Sequence, residues 1–182
     1  MEGREDNMSI ETITSLIRDV PDFPKPGIVF KDITPIFQDP AGLKHTVDLF
    51  VDRLAGQHID KVIGIESRGF LLGAPIAYKL GVGCGLVRKK GKLPWTTIER
   101  SYELEYGSAT LEAHIDLVSK GDRVVILDDL LATGGTANAT VELCRELGAE
   151  VVEASFLIEL GFLPGRQKLE AAGVPVFAPI VF

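Results

Sequence analysis

Residues 124–136, which read VVILDDLLATGGT, decide the fold. The apolar start of this stretch predicts a buried strand from Arg123 to Leu127, and a helix is predicted to begin at Thr136, directly after two glycines. Glycines let the backbone approach a phosphate closely and turn its N–H groups inward, and the start of a helix adds partial positive charge. The stretch therefore predicts a strand, loop and helix unit that can hold a monophosphate without a lysine. The alternative is a plain turn at the glycines, with Thr136 as the helix cap.

Two acidic residues, Asp128 and Asp129, end the predicted strand directly in front of the glycine loop. Two carboxylates beside a phosphate site are costly unless they bind something, and the vicinal hydroxyls of a ribose are donors that suit them. Consecutive strand residues point to opposite faces, so one of the acids can instead order the loop. In the alternative interpretation, a nearby base such as Arg123 relieves the repulsion between them.

Strands and helices alternate along the remainder of the chain. The predicted strands are 28–30, 61–65, 84–87, 123–127 and 151–158, and the predicted helices are 10–20, 47–54, 70–80, 136–147 and 166–172. Several of these strands are apolar on both faces, which is typical of a mainly parallel sheet covered by helices. We therefore expect an α/β fold in which ligands bind beyond the carboxyl ends of the strands.

The segment 89–111 interrupts this alternation. It shows little periodicity over roughly twenty residues, which exceeds the limit of roughly 12 to 15 for a plain connection. Its length predicts a mobile lid over the site, and the alternative is an extended hairpin packed on the surface.

Composition narrows the class of protein. A chain of 182 residues with 46% apolar and 25% charged residues predicts one folded domain over 1–182. The net charge of −7 argues against a nucleic-acid partner, and the apolar runs are too short to span a membrane. The polar start of the chain predicts a cytoplasmic protein without a signal peptide. Cys84 and Cys144 are expected to be reduced core residues, too few for a zinc site.

The stretch 124–136 resembles the phosphoribosyl pyrophosphate signature of type I phosphoribosyltransferases, and its LLATGGT portion resembles that of the adenine-specific members. The resemblance implies the type I fold with a small N-terminal hood within 9–35 and the lid at 89–111. It implies transfer of the phosphoribosyl group to adenine, giving AMP and diphosphate, with Mg²⁺ held mainly by substrate oxygens, and it implies a homodimer. It assigns the ribose to Asp128 and Asp129, and the 5′-phosphate to Ala132, Thr133, Gly134, Gly135 and Thr136.

Two further segments resemble the parts of this family that bind pyrophosphate. ESRGF at 66–70 follows a predicted strand and is similar to the family's pyrophosphate loop, which assigns Ser67 and Arg68. The alternative is a surface Arg68 paired with Glu66. The basic run 88–92 adds Arg88 and Lys89 at the start of the predicted lid, although such runs are often only solvated charge.

The base and its proton are assigned by resemblance alone. SYELEYG at 101–107 resembles the family's mobile catalytic loop, in which Glu105 is the acid or base, and Glu103 is the nearby alternative. Residues 23–35 resemble the adenine hood, where Phe30 stacks on the base, Val29 and Lys31 contact its edge, and Leu160 closes the other side. The alternative for Phe30 is a plain core aromatic. Many relatives carry arginine where this chain has Lys31.

Two rival functions stay open at this point. A phosphoribosyltransferase for another purine would keep the phosphate loop and differ in the hood, at Phe30 or Lys31. A regulator of the same fold that binds the sugar phosphate without catalysis would also keep the loop, but Glu105, Arg68 and the basic run argue against it.

Overall fold

The computed structural model describes residues 10–103 and 107–182. The chain divides into two compact units, Met1–Arg53 and Leu54–Phe182. The single domain expected over 1–182 stays a prediction, and the two units are described separately.

The first unit contains a small hairpin. The elements of this unit are helix α1 (Ile10–Ser15), strands β1 (Arg18–Pro21) and β2 (Val29–Asp32), helix α2 (Thr34–Gln38) and most of helix α3 (Pro40–Leu54). The strands are antiparallel, with Arg18 opposite Asp32 and Pro21 opposite Val29. The prediction of one helix over 10–20 is therefore wrong after Ser15. The reason lies in the turn that follows, where Asp22 has a φ of 58° and its Oδ1 accepts the Gly27 N–H at 2.7 Å, which reverses the chain and lets β1 pair with β2.

The second unit is built on an eight-stranded sheet. Its strands are β3 (Lys61–Ile65), β4 (Gly83–Lys89), β5 (Thr97–Glu103), β6 (Ser108–His114), β7 (Arg123–Leu131), β8 (Glu150–Glu159), β9 (Val176–Phe177) and β10 (Ile180–Val181), and its helices are α4 (Arg68–Leu80), α5 (Gly135–Glu146) and α6 (Gly165–Ala171). The strand order is β10-β8-β7-β3-β4-β6-β5, and β9 also pairs with β8. All pairings are parallel except those of β6 with β4 and β5, so the predicted, mainly parallel α/β sheet is confirmed.

The centre of this sheet is fully apolar. Val124 to Leu127 of β7 have no exposed surface, and Val62 and Ile63 of the neighbouring β3 are equally buried. Burial on both faces explains why these strands read as continuous apolar runs rather than as alternating ones. The two strands run parallel, so the segments that follow them emerge at the same edge.

The segment 89–111 is mostly strand where the structure describes it. Strands β5 and β6 form an antiparallel hairpin with Glu103 opposite Ser108, and β6 joins the sheet along the end of β4. A long loop, which the lid prediction implied, is therefore wrong for these residues, and the alternative of an extended hairpin describes them. Its role as a lid stays a prediction.

The two cysteines differ in environment. Cys144 on α5 is fully buried, and this burial raises the pKa of its thiol to about 12. Cys84 on β4 is exposed, so the prediction of a core position was wrong for it. No helix in 10–103 or 107–182 is both long and apolar enough to cross a membrane.

Candidate active site

The glycine loop between β7 and α5 is held by backbone contacts. Gly134 has a φ of 75°, a conformation that side-chain-bearing residues rarely adopt. A Cβ on Gly134 would also lie 2.9 Å from the Cα of Gly165, the first residue of α6. The loop therefore rests on the backbone of α6, and glycine is required at position 134 for both conformation and space.

The other side of the loop is covered by the hairpin. A Cβ on Gly135 would lie 3.0 Å from the ring Cδ2 of Tyr102, and Thr136 Oγ1 donates to the Tyr102 hydroxyl at 2.9 Å. Tyr102 lies on β5, within the segment whose resemblance pointed to Glu105. The structure thus brings strand β5 onto the start of α5.

The start of α4 packs directly on the end of β7. A Cβ on Gly69 would lie 2.6 Å from the carbonyl oxygen of Leu127 and 3.0 Å from Oδ1 of Asp128. This close approach sets the loop after β3 beside the two acids. Residues of the two predicted loops, Ser67 and Arg68 on one side and Asp128 and Asp129 on the other, are neighbours for this reason.

Arg68 forms an ion pair with Asp129. Its Nε lies 2.5 Å from Asp129 Oδ2, and the Asp129 side chain is only 5% exposed. The alternative of a surface Arg68 paired with Glu66 is wrong, because Glu66 contacts Arg88 instead. The Arg68 side chain remains 38% exposed, and its planar guanidinium is the group that suits a phosphate ligand.

The electrostatic environment of Asp128 differs from that of Asp129. Burial, followed by the adjacent negative charge of Asp129, raises the pKa of its carboxyl well above the usual range. The Asp129 N–H, which donates to Asp128 Oδ1 at 2.9 Å, opposes the shift but does not cancel it. A donor-rich ligand that stabilises the carboxylate would relieve this cost.

Glu66 organises the start of the basic run. It accepts from Arg88 Nε at 3.2 Å and from the Lys89 backbone N–H at 3.0 Å. Partial burial acts to raise the pKa of Glu66, but these hydrogen bonds from Lys89 and Arg88 outweigh it and lower the pKa. Arg88 also donates to the Lys92 carbonyl oxygen and stands 5.9 Å from the Phe70 ring. Arg88 therefore supports the local structure.

A cleft of about 300 Å³ brings most of the predicted sugar-phosphate residues together. It is lined by Glu66, Ser67, Arg68, Lys89, Tyr102, Leu111, Asp128, Asp129, Leu130 and Thr136. An adjoining cleft of about 90 Å³ is lined by Asp128, residues 130–137 and Phe156, and so contains the whole glycine loop. Arg88 and Leu160 are not among the lining residues of either cleft. The N–H of Leu160 donates to the Leu131 carbonyl oxygen, which sets it just behind the loop.

The predicted base-binding residues lie on β2, in the first unit. The Phe30 ring packs edge-on against Phe23, with centroids 5.2 Å apart. Lys31 Nζ lies 2.7 Å from Asp19 Oδ1 across the hairpin, and Val29 is 49% exposed. Glu105 lies outside the described residues.

Sequence reasoning gave no role to Tyr102 and mentioned Glu66 only as a possible partner of Arg68. Tyr102 could have been noted as the aromatic residue three positions before Glu105, but its partner Thr136 is 34 residues away. Nothing in the sequence signals that contact.

A parallel sheet whose two central strands each end in a loop at one shared cleft, with acids and bases facing across it, is typical of an α/β protein that binds a polar ligand beyond the carboxyl ends of its strands. Comparison with known proteins agrees. The family described as phosphoribosyl transferase domain matches residues 33–170. A relative named adenine phosphoribosyltransferase from Syntrophotalea carbinolica is 58% identical over 160 residues, which cover 88% of this chain and 94% of the relative.

Solved structures give the same result. The crystal structure of adenine phosphoribosyltransferase from Thermoanaerobacter pseudethanolicus superposes with a TM-score of 0.92 at 49% identity, covering 96% of this chain and 100% of the other. The Saccharomyces cerevisiae enzyme, crystallised with adenine and D-2,5-dideoxy-2,5-imino-altritol 1,6-bisphosphate, gives 0.88 at 40% identity, covering 93% and 97%. The chain belongs to the phosphoribosyltransferase family, and within it to the adenine phosphoribosyltransferases.

Proposed function

We propose that the protein transfers the phosphoribosyl group of phosphoribosyl pyrophosphate to adenine, forming AMP and diphosphate in purine salvage. The observation that carries this proposal is the shared cleft, in which Asp128, Arg68 and Thr136 face one space of about 300 Å³. The choice of adenine rests on the relatives, which are named for that base.

The reaction needs positioning and charge stabilisation rather than a protein nucleophile. The bond between ribose C1 and pyrophosphate oxygen breaks with its electron pair leaving on pyrophosphate. A ring nitrogen of adenine forms the new bond to C1 and gives up its proton. Positive charge grows on the sugar while negative charge grows on the leaving group, so fixed donors and acceptors around both lower the barrier.

Residues of the second unit divide this work. The N–H groups and hydroxyls of Ala132 to Thr136 bind the 5′-phosphate, and Asp128 accepts from the ribose hydroxyls. Arg68 and Lys89 bind the pyrophosphate, helped by Ser67. Because Arg68 is paired with Asp129, an incoming pyrophosphate shares the guanidinium and frees Asp129 to turn towards the ribose. Arg88 contributes by holding Glu66 and the turn at Lys92.

Mg²⁺ fits this site as a substrate-bound ion. The part of the chain that the structure describes contains no group of three or more His, Cys, Asp or Glu residues able to cage a metal. Carboxylate oxygens at Asp128 and Asp129 are nevertheless the hard ligands that this cation prefers. The ion would therefore be held mainly by pyrophosphate and ribose oxygens, where it would neutralise leaving-group charge.

The assignment of residues to adenine and to its proton rests on the resemblance to the phosphoribosyltransferase family. Phe30 stacks on adenine, Val29 and Lys31 contact its edge, and Leu160 closes the other face. Glu105 receives the proton from the base. The engagement of Lys31 with Asp19 limits the charge that it can offer to a ligand.

Rate measurements with purified enzyme test the proposal. AMP formation from adenine should exceed product formation from guanine, hypoxanthine or xanthine as competing bases. Asp128→Asn combined with Asp129→Asn should abolish most of the turnover, whereas Asp122→Asn, just before the opposite end of β7, should retain it. A preference for another base would refute the adenine assignment, and phosphoribosyl pyrophosphate binding without any turnover would favour the regulator.

Assembly as a homodimer is part of the same proposal. Leu71 and Tyr78 leave 52% and 85% of their surface exposed on α4, the helix that begins at Arg68. Residues seven apart lie on the same face of a helix, so these two side chains form one apolar patch suited to a symmetric partner. A cytoplasmic location stays a prediction.

A further inference from the structure

Tyr102 is connected to the glycine loop by its hydroxyl as well as by its ring. The hydroxyl accepts from Thr136 Oγ1 at 2.9 Å, while the ring occupies the space beside Gly135. Tyr102 also lines the cleft with Asp128 and Arg68. A side chain in this position meets both the 5′-phosphate loop and the space where the ribose is proposed to bind.

Strand β5 is fastened to helix α5 near this point. Arg100, two residues before Tyr102 and on the same face of the strand, forms ion pairs with Glu142 and Glu146 of α5. Ile98 and Tyr102 pack against the apolar core under the sheet. The position of Tyr102 is therefore fixed by the ion pairs of Arg100, by packing on the core and by the contact with Thr136. Its hydroxyl is held in place rather than free to sample solvent.

The direction of the hydrogen bond has a chemical consequence. A threonine hydroxyl has one proton, and here Thr136 gives it to Tyr102. When a phosphate occupies the loop, that proton is more strongly attracted to the charged phosphate oxygen. The Tyr102 hydroxyl can then reverse its role and donate to Thr136 Oγ1, because a phenol is both donor and acceptor. The result is a chain of hydrogen bonds from Tyr102 through Thr136 to the phosphate, in which each bond strengthens the next.

We propose that Tyr102 is a positioning residue for the 5′-phosphate, acting through the hydroxyl of Thr136. This inference rests on the proposed function, since it requires the 5′-phosphate to bind at the loop between β7 and α5. It means that strand β5, which ends two residues before Glu105, also takes part in holding that phosphate.

The variant Tyr102→Phe tests the proposal because it keeps the ring beside Gly135 and removes only the hydroxyl. Loss of one hydrogen bond in a charged chain should weaken binding of ribose 5-phosphate by about five- to tenfold. The KM for phosphoribosyl pyrophosphate should rise by a similar factor, with a change in kcat of less than about threefold. Binding of inorganic pyrophosphate, which uses Arg68, should not change. Thr110→Val, which removes an exposed hydroxyl that pairs with Ser101 on the same hairpin, is the control.

A double-mutant cycle separates positioning through Thr136 from general structural damage. Thr136→Val removes the hydroxyl and keeps the shape, so adding Tyr102→Phe to it should produce no further loss of ribose 5-phosphate affinity. Additive losses in the cycle would overturn the proposal. An equal loss of pyrophosphate affinity in Tyr102→Phe would also overturn it, because a merely structural role predicts that result.

Binding of ribose 5-phosphate by the wild-type protein separates failure of this inference from failure of the proposed function. If it binds ribose 5-phosphate and Tyr102→Phe binds it equally well, only the assignment of Tyr102 is wrong. If the wild-type protein does not bind ribose 5-phosphate, the proposed function fails together with this inference.

Discussion

The carboxyl group of Asp128 should control how substrate binding depends on pH. Burial and the neighbouring Asp129 charge raise its pKa, so at low pH the group is protonated and a poor acceptor for ribose hydroxyls. Affinity for phosphoribosyl pyrophosphate should therefore increase as pH rises through the raised pKa. The measurement is KM against pH for wild type and Asp128→Asn. The phosphate groups of the substrate titrate equally with both enzymes, so a step that persists in the variant does not come from Asp128.

The same carboxyl should give a stability effect of opposite sign. Its pKa is higher in the folded than in the unfolded protein, so the native state binds more protons between the two values. The contribution of Asp128 to the free energy of unfolding should be highest below the unfolded pKa and fall as pH rises through the folded one. The urea midpoint of the wild type, taken relative to that of Asp128→Asn, should therefore decline across this range.

Gly134 provides a test of the loop. Gly134→Ala should destabilise the protein by more than the roughly 1 to 2 kcal/mol of a left-handed backbone, because the added Cβ also meets Gly165. Gly56→Ala is the matched control, since its φ of 77° carries the same backbone cost with nothing within 4 Å. Urea unfolding should rank the variants in that order, and ribose 5-phosphate affinity should fall only in Gly134→Ala. Equal unfolding midpoints would contradict the packing argument.

At the level of elements, α6 depends on a partly buried ion pair. Arg166 Nε lies 3.0 Å from both oxygens of Glu159, and its Nη1 donates to the Val176 carbonyl oxygen at 3.0 Å. Arg166→Ala leaves the Glu159 carboxylate, 7% exposed, without this partner and should cost about 3 kcal/mol. Phosphate affinity should fall as well, because α6 supports the glycine loop through Gly165.

The control for this prediction is a pair of the same type on the surface. Arg123 and Glu150 lie 2.5 Å apart with 34% and 58% of their side chains exposed, so Glu150→Gln should cost less than about 1 kcal/mol. Chemical denaturation of both variants measures the difference. Comparable losses would mean that burial of Glu159 does not set the cost.

Sequence patterns predicted the elements that bury mainly apolar side chains. The apolar runs of β3, β7 and β8 and the glycine signal before α5 made the central sheet and the cleft edge predictable. Strand β5 was not, because one of its three inward positions is Arg100, whose charge is neutralised by glutamates on α5 more than forty residues later. Strand β1 was mistaken for helix because its apolar spacing continues that of α1 and its partner lies beyond the turn.

The same distinction applies within the site. The residue types that bind phosphate, ribose and pyrophosphate were recognisable from local stretches of chain. The pairing of Arg68 with Asp129 and the contact of Tyr102 with Thr136 were not, since each joins residues that only the folded sheet brings together.

At the scale of the whole molecule, the apolar patch on α4 predicts the assembly. The wild-type protein should sediment as a dimer, and Leu71→Glu combined with Tyr78→Glu should yield monomers, because charges at that patch oppose its burial. Phe162→Glu, at a residue 76% exposed on the loop after β8, should leave the mass unchanged. A wild-type monomer, or a dimer that tolerates both glutamates, would exclude α4 as the interface.

The contact between Gly134 and Gly165 restricts which sequences can occupy this fold. Usually a bulky change at one position can be tolerated when a neighbour becomes smaller. Here both residues are already the smallest available, and a Cβ on Gly165 would itself lie 2.8 Å from Leu131 Cδ1. Second-site suppressors of Gly134→Ala should therefore not arise at position 165. A selection that randomises both positions should recover glycine at each. Neighbouring positions can therefore vary during evolution, whereas this pair of glycines cannot.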